Sequence, residues 1–274
     1  MSPTNAVITK DNFKLNESLD KIKHIIMVMS GKGGVGKSTV AANLALGLAM
    51  AGHETGIMDV DIHGPNIPKL LGIGEKRVVA EGNYLLPVYV PPRLKVMSMG
   101  FLIQNDDTPV IWRGPVKMGV IRQFLEDVRW GDLDFLIVDL PPGTGDEPLS
   151  IIQLIPRVDG AIIVTTPQDV ALLDSRKSIN FCKQMNVRVL GVIENMSTLV
   201  CPHCGGTIDV FKHGGGEKAA EEMGVPFLGH IPLNPSITVG GDNGVPAVAD
   251  VNGTAGEAFM EIIDRLRKQL IEKR

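Results

Sequence analysis

The sequence predicts an α/β fold: a doubly wound, mostly parallel sheet of about seven or eight strands with helices on both faces. Three observations predict it. Short β-branched runs recur along the chain, most of them alternate with segments of helical spacing, and the runs are apolar almost throughout. Strands covered on both faces have that last property, because neither side of the pleat meets water.

Residues 1–20 are polar and lack a clear period, so they predict a lead segment, a tail or a short helix ending near Lys23. Residues 21–274 then form a single domain. Its strand candidates are "IIMVMS" (25–30), "TGIMDV" (55–60), "LKVMSM" (94–99), "DFLIVDL" (134–140), "GAIIVTT" (160–166), "VRVLGVIEN" (187–195) and "PFLGHIP" (226–232). After the first strand, Val40, Ala41, Leu44, Ala45, Leu48 and Ala49 fall on one helical stripe, with Gly52 as the stop. The stretch 77–94, holding Pro87, Pro91 and Pro92, predicts a small hairpin or irregular excursion. The last helix carries Phe259, Ile262, Ile263, Leu266 and Leu270 on one face. Such a stripe can lie on a membrane, but packing onto the sheet is its commoner use.

Composition narrows the function classes. At 274 residues the chain suits one large domain or two small ones, and it contains no repeat, linker or composition shift that would divide it. A formal net charge of −4 argues against polyanions as the main partner, so no nucleic acid is expected. The longest apolar runs fall short of the ~18 residues that cross a bilayer, so no membrane partner is expected. The three cysteines are an odd count with no apolar leader before them, which predicts a reducing, cytoplasmic setting rather than a disulfide scaffold.

Gly31, four residues, then Gly36, Lys37 and Ser38 match G-x-x-x-x-G-K-[ST], set between a strand and a helix as that motif requires. The loop Gly31, Lys32, Gly33, Gly34, Val35, Gly36, Lys37, Ser38 and Thr39 turns backbone N–H groups toward phosphate oxygens at a helix N-terminus. Lys37 reaches the β- and γ-phosphates, and Ser38 offers its hydroxyl to Mg2+. "MDVDIHGPN" and "IVDLPPGTGD" put Asp59, Asp61 and Asp139 at strand C-termini, the edge where open α/β sheets collect ligands. Asp139 suits the Mg2+ shell, Asp61 suits orienting the attacking water beside the metal, and Asp59 suits support of that shell. A strand-end aspartate can also simply cap the next helix. Gly143 and Gly145 fit a loop that moves when the γ-phosphate leaves.

"CPHCGG" places Cys201 and Cys204 at a spacing that grips one soft metal centre, yet such a centre takes four ligands and Cys182 lies far back on a predicted helix. A two-fold dimer would supply four thiolates, suited to a 4Fe-4S cluster or to tetrahedral zinc. A redox pair is disfavoured because "GGTID" reads as turn and strand rather than helix. His203 and His213 could ligate metal or handle protons, although a lone histidine is more often a hydrogen-bonded surface residue. Cys182 reads as a small buried apolar side chain, and His63 carries no assignable role.

"GKGGVGKST" resembles the deviant phosphate loop of the ATPase superfamily that includes nitrogenase iron protein and the Min and Par positioning ATPases. That resemblance implies that Lys32 reaches across a homodimer to the partner's nucleotide, that Asn195 reads the adenine edge and that Pro232 lines the base pocket. Taken with "DVDIHGPN", "VIWRGP", "DLPPGTGDEPLS", "ENMS", "CPHCGG" and "GHIPLNPSI", the chain from about residue 20 onward closely resembles the Mrp (ApbC-type) iron-sulfur cluster carrier ATPases. The resemblance implies ATP and Mg2+ as cofactors, a 4Fe-4S cluster held between protomers by Cys201 and Cys204, apo iron-sulfur proteins as clients and cluster scaffold proteins as further partners. The alternatives are a Min/Par-like positioning ATPase and a zinc-bridged regulatory NTPase.

Overall fold

The computed structural model describes residues 10–62, 64–102, 114–201 and 203–271. His63, Pro202, the first nine residues and most of "VIWRGP" lie outside them.

Eight strands form the central sheet in the order β12-β9-β8-β1-β7-β2-β6-β5. In chain order these are β1 (Ile22–Ser30), β2 (Thr55–Asp59), β5 (Val88–Val90), β6 (Leu94–Ser98), β7 (Leu133–Asp139), β8 (Gly160–Thr165), β9 (Val189–Glu194) and β12 (Phe227–His230). All neighbours pair in parallel except β5, which runs antiparallel to β6 at one edge. Two hairpins stand apart: β3 (Val79–Glu81) with β4 (Tyr84–Leu86), and β10 (Leu199–Val200) with β11 (Thr207–Ile208). The doubly wound, mostly parallel sheet is therefore as the runs predict, and every residue of β2, β8 and β9 is buried. The excursion at 77–94 holds the β3–β4 hairpin and adds β5 to the sheet edge.

The helices are α1 (Lys10–Leu19), α2 (Lys37–Met50), α3 (Ile67–Leu70), α4 (Gly114–Glu126), α5 (Asp146–Leu154), α6 (Asp169–Gln184), α7 (Gly215–Met223), α8 (Pro235–Asp242) and α9 (Thr254–Ile271), and they cover both faces of the sheet. Among the described residues no helix is long and apolar enough to cross a membrane.

Three local differences from the sequence expectation have physical causes. Helix α1 ends before Lys23 because β1 already begins at Ile22, whose pairing with Leu133 continues the buried ladder. Leu15 and Leu19 of α1 are themselves buried, so the described part of the lead segment joins the core. Helix α2 is not buried along one stripe: Ala42, Asn43, Leu46 and Gly47 are covered as well. The cover is α9, and a Cβ on Gly47 would lie 2.2 Å from Ile263 Cδ1. The apolar face of α9 is shared between this contact, residues 247–249 and β12, and Phe259, Ile262, Ile263 and Leu266 are all buried.

Candidate functional site

The phosphate loop leaves β1 at Ser30 and enters α2 at Lys37. Gly34 and Gly36 have φ of +81° and +83°, which a side chain would strain. The loop is also pinched from both sides. A Cβ on Gly31 would fall 2.3 Å from the Asp174 carbonyl of α6, and one on Gly36 would fall 2.2 Å from Asn195 Nδ2 at the end of β9. Two hydrogen bonds brace it: Ser30 Oγ donates to the Lys32 carbonyl at 2.9 Å, and Asn195 Nδ2 donates to the Val35 carbonyl at 2.9 Å. No side chain caps α2, which leaves its first-turn N–H groups facing the loop.

Lys37 is buried, and its ammonium lies 2.6 Å from Asp139 Oδ1, 3.8 Å from Asp61 Oδ2 and 3.2 Å from Ser38 Oγ. Parallel register aligns Asp139 with Val28 of β1 and with Asp59 of β2, so three strand ends converge here. Asp59 accepts from Ser98 Oγ at 2.7 Å and from the Asp61 N–H at 3.1 Å, and so shapes the turn that carries Asp61. Burial, and then the Asp139 charge beside it, push the Asp59 carboxyl up to about 8 against partial relief from Ser98, Lys37 and Asp61. The other oxygen of Asp139 is buried and has no hydrogen-bond partner among the described residues. An orphaned carboxylate oxygen near a serine hydroxyl and Asp61 is a hard, all-oxygen donor set, and these residues fit Mg2+.

Gly33, Gly34, Gly36, Lys37, Ser38, Thr39 and Asp61 line one cleft of about 350 Å³, within the range of ligand pockets. Asn66, Lys69 and Leu70, around α3, and Gly241 and Asp242 of α8 also line it, with Ser30, Gly64 and Pro142 between them. The five around α3 and α8 escaped sequence reasoning because they lie far apart in the chain and belong to no phosphate motif. Gly31, Lys32, Val35 and Asp139 lie outside the lining, Asp139 behind Lys37. Asn195 sits under the loop, and Pro232 is half-buried beyond the end of β12; neither lines the cleft.

The cysteines occupy the connection of the β10–β11 hairpin. The Cys201 N–H donates to the Gly206 carbonyl at 2.8 Å, and the Gly205 N–H donates back to the Cys201 carbonyl at 2.9 Å. Gly205 supplies the left-handed φ of +70° that this turn needs. Cys201 is half-buried and Cys204 exposed. Backbone N–H groups of His203 and then Cys204 favour the Cys201 thiolate and lower its pKa, as does the Cys204 side chain. Cys182 lies in the core with its sulfur 3.6 Å from Met29 Sδ, and burial pushes its thiol up to about 12. It is a packing residue.

Glu194, the last residue of β9, joins the two regions. Its Oε1 accepts from Ser197 Oγ at 2.7 Å, from His230 Nδ1 at 3.1 Å and from the Gly214 N–H at 3.1 Å, while Oε2 accepts from the Gly216 N–H at 2.6 Å. Burial alone would raise this carboxyl, but the bonds from His230, Gly216, Ser197 and Gly214 outweigh it and bring it down to about 2. One side chain thus ties the strand end beneath the phosphate loop to the root of the cysteine hairpin, to the N-terminus of α7 and to β12. The sequence carries no signal for this hub beyond a glutamate at a strand end, since its partners are up to 36 residues away.

A doubly wound sheet with a phosphate loop at its first strand and carboxylates at the neighbouring strand ends defines a P-loop NTPase, a class that binds and hydrolyses ATP. The family described as "ParA: NUBPL iron-transfer P-loop NTPase" matches residues 21–267, and the chain belongs to it. The iron-sulfur cluster carrier protein of Methanocaldococcus jannaschii is 49% identical over 271 residues, covering 99% of this chain and 93% of that protein. The cytosolic Fe-S cluster assembly factor CFD1 of Kluyveromyces lactis is 52% identical over 226 residues, 80% of each chain. Among solved structures, a nucleotide-binding protein from Archaeoglobus fulgidus in complex with ADP, with cobalt found in it, superposes with a TM-score of 0.76 at 40% identity, covering 86% of this chain and 91% of that one. The septum site-determining protein MinD of Pyrococcus horikoshii, complexed with Mg-ADP, reaches a TM-score of 0.68 at 25% identity over 92% and 98% of the two chains.

Proposed function

We propose that this chain is a cytoplasmic ATPase that holds a 4Fe-4S cluster between two copies of itself through Cys201 and Cys204 of each, and passes the cluster to apo-proteins. The observation that carries this reading is the pair of accessible thiols on a short hairpin whose root is bonded, through Glu194, to the strand end beneath the phosphate loop. Each chain offers two thiolates where a cluster takes four, so a second copy completes the centre. The relatives named as iron-sulfur carriers and assembly factors support the cargo, and the relative with ADP and cobalt supports nucleotide and transition metal in one protein. Residues 21–274 act as one ATPase domain with the cysteine insertion near 201–206.

In the nucleotide cycle, Lys37 exchanges Asp139 for the β- and γ-phosphates, while the glycines and the uncapped end of α2 offer N–H donors. Ser38, Asp61 and Asp139 would hold Mg2+, which neutralises developing phosphate charge when bound. Asp61 orients the attacking water. Lys32 is half-buried, and among the described residues no carboxylate pairs with it, so its cation is available to a partner's nucleotide. Asn195 commits an amide N–H to the Val35 carbonyl of the loop, and by resemblance its carbonyl oxygen would read the adenine edge and Pro232 would line the base pocket, both outside the phosphate cleft.

Anaerobic reconstitution with iron and sulfide, followed by absorbance, metal and sulfide analysis and sedimentation of one sample, tests the reading. The expected product is a brown dimer with one 4Fe-4S cluster per pair that activates an apo iron-sulfur enzyme. Colourless dimers with one zinc per pair, or single copies fully loaded with cluster, would overturn it.

A further inference from the structure

We propose that Glu194, His213 and His230 form a second metal site, separate from the thiols and built for a borderline first-row divalent ion such as Zn2+ or Co2+. One ligand atom from each of the three lies within 4.8 Å of the others. Glu194 Oε1 is 3.1 Å from His230 Nδ1 and 3.9 Å from His213 Nδ1. Two donors at about 2.1 Å from one tetrahedral Zn2+ stand about 3.4 Å apart, so the two carboxylate-imidazole pairs straddle that spacing to within about half an ångström. The two imidazoles stack with centroids 4.7 Å apart, and their ligand atoms lie within 4.8 Å, so closing the third pair takes a ring shift of at most about 1.4 Å.

The surroundings fit a ligand set. A metal on His230 Nδ1 requires the ring proton to sit on Nε2, and that atom lies 3.5 Å from Glu217 Oε2, the kind of carboxylate that orients ligating histidines. Ser197 and Thr198 direct their hydroxyl protons to Glu194 and Asp209, so without metal His213 Nδ1–H donates to their oxygens, at 2.8 and 3.1 Å. Metal binding moves that proton to the solvent side of the ring, where His213 is exposed. The Gly214 and Gly216 N–H groups fix the Glu194 carboxylate in place, at 3.1 and 2.6 Å. Two imidazoles and one carboxylate, with a fourth position open to water beside exposed His213, select against Mg2+ and differ from the sulfur pair in softness. An ion here would link β9, β12 and the segment that follows β11, clamping the root of the cysteine hairpin.

The test is a Co2+ titration of nucleotide-free Cys201→Ser/Cys204→Ser protein in excess Mg2+, read by visible d–d absorbance. One Co2+ per chain without thiolate charge-transfer bands is expected, and His213→Ala or His230→Ala in that background should weaken binding by about tenfold or more. His213 is half exposed, so its variant keeps the fold, which circular dichroism checks. No Co2+ uptake by the thiol-free chain, or uptake unchanged by both histidine variants, would overturn the proposal. Cluster assembly plays no part in this readout, so the site and the carrier reading can fail independently.

Discussion

The nucleotide cleft and the cysteine hairpin lie at the same end of the sheet, yet they are built on opposite principles. The cleft is over-determined: its loop is squeezed between α6 and β9, its lysine is buried against Asp139, and three strand ends converge on it. The hairpin consists of two-residue strands with exposed Val200 and Ile208, and its order rests on a few backbone bonds and on what Glu194 holds below it. A braced cleft leaves little to rearrange beyond Lys37, which in the proposed cycle trades Asp139 for phosphate, whereas an open pair of thiols suits the proposed cargo, which must be received and released. Glu194 is the mechanical join between them.

The sharpest way to break this contrast is Lys37→Ala. It removes the phosphate-reaching cation and leaves Asp139 buried without its partner, so ATP affinity by isothermal titration should fall by about a hundredfold or more. If the proposed cluster site is right, the same variant should still assemble cluster on Cys201 and Cys204, which lie outside the cleft. Lys32→Ala, by contrast, should keep ATP affinity and lower turnover by about tenfold or more, because its proposed target is the transition state in the other copy. Unchanged ATP binding in the first variant, or wild-type turnover in the second, would remove the division of labour assigned to the two lysines.

Glu194→Gln tests the join. The folded-state carboxyl titrates near 2 against an ordinary value of 4.5, so its contribution, about 3 kcal/mol, is present above pH 4.5 and is lost as pH falls toward 2. Urea unfolding with chelator present should therefore show the wild type more stable than the variant at pH 7, with the gap narrowing steadily below pH 4.5. A gap that is constant with pH would mean the hydrogen bonds do not hold the anion.

The smallest effect comes from one substitution made twice. Gly36 and Gly205 have similar left-handed backbones, at +83° and +70°, but a Cβ at Gly36 would strike Asn195 whereas one at Gly205 meets open space. Gly205→Ala should cost about 1 kcal/mol, the intrinsic strain alone, and leave ATP binding intact. Gly36→Ala should cost more and impair ATP binding, since Asn195 cannot move without releasing the Val35 carbonyl. Equal costs at the two positions would show that the loop is less tightly held than its contacts imply.

Much of the cleft was legible because its chemistry is local in sequence. Gly31 to Ser38 are contiguous, and Asp59 and Asp139 each end an apolar run, so their strand-end placement follows from those runs, with Asp61 in the turn just past the end of β2. The β10–β11 turn was legible for the same reason, from "CPHCGG" and the residues after it. Lys69 and Asp242, which face the cleft from α3 and α8, were not, because no periodic signal says which helices meet. The all-round burial of α2 was also hidden: its stripe is plain in the sequence, but α9, which covers the opposite face, lies some two hundred residues later.

From its residues alone this chain determines a parallel sheet, a phosphate loop and a pair of thiols, because backbone propensity, pleat alternation and short motifs act between near neighbours. The meeting of Glu194 with Ser197, His213, Gly216 and His230, and the seating of Asn195 against the loop, were decided only by tertiary structure. A buried carboxylate must find donors wherever packing delivers them, and packing is set by the sum of many distant contacts that no single stretch of sequence records.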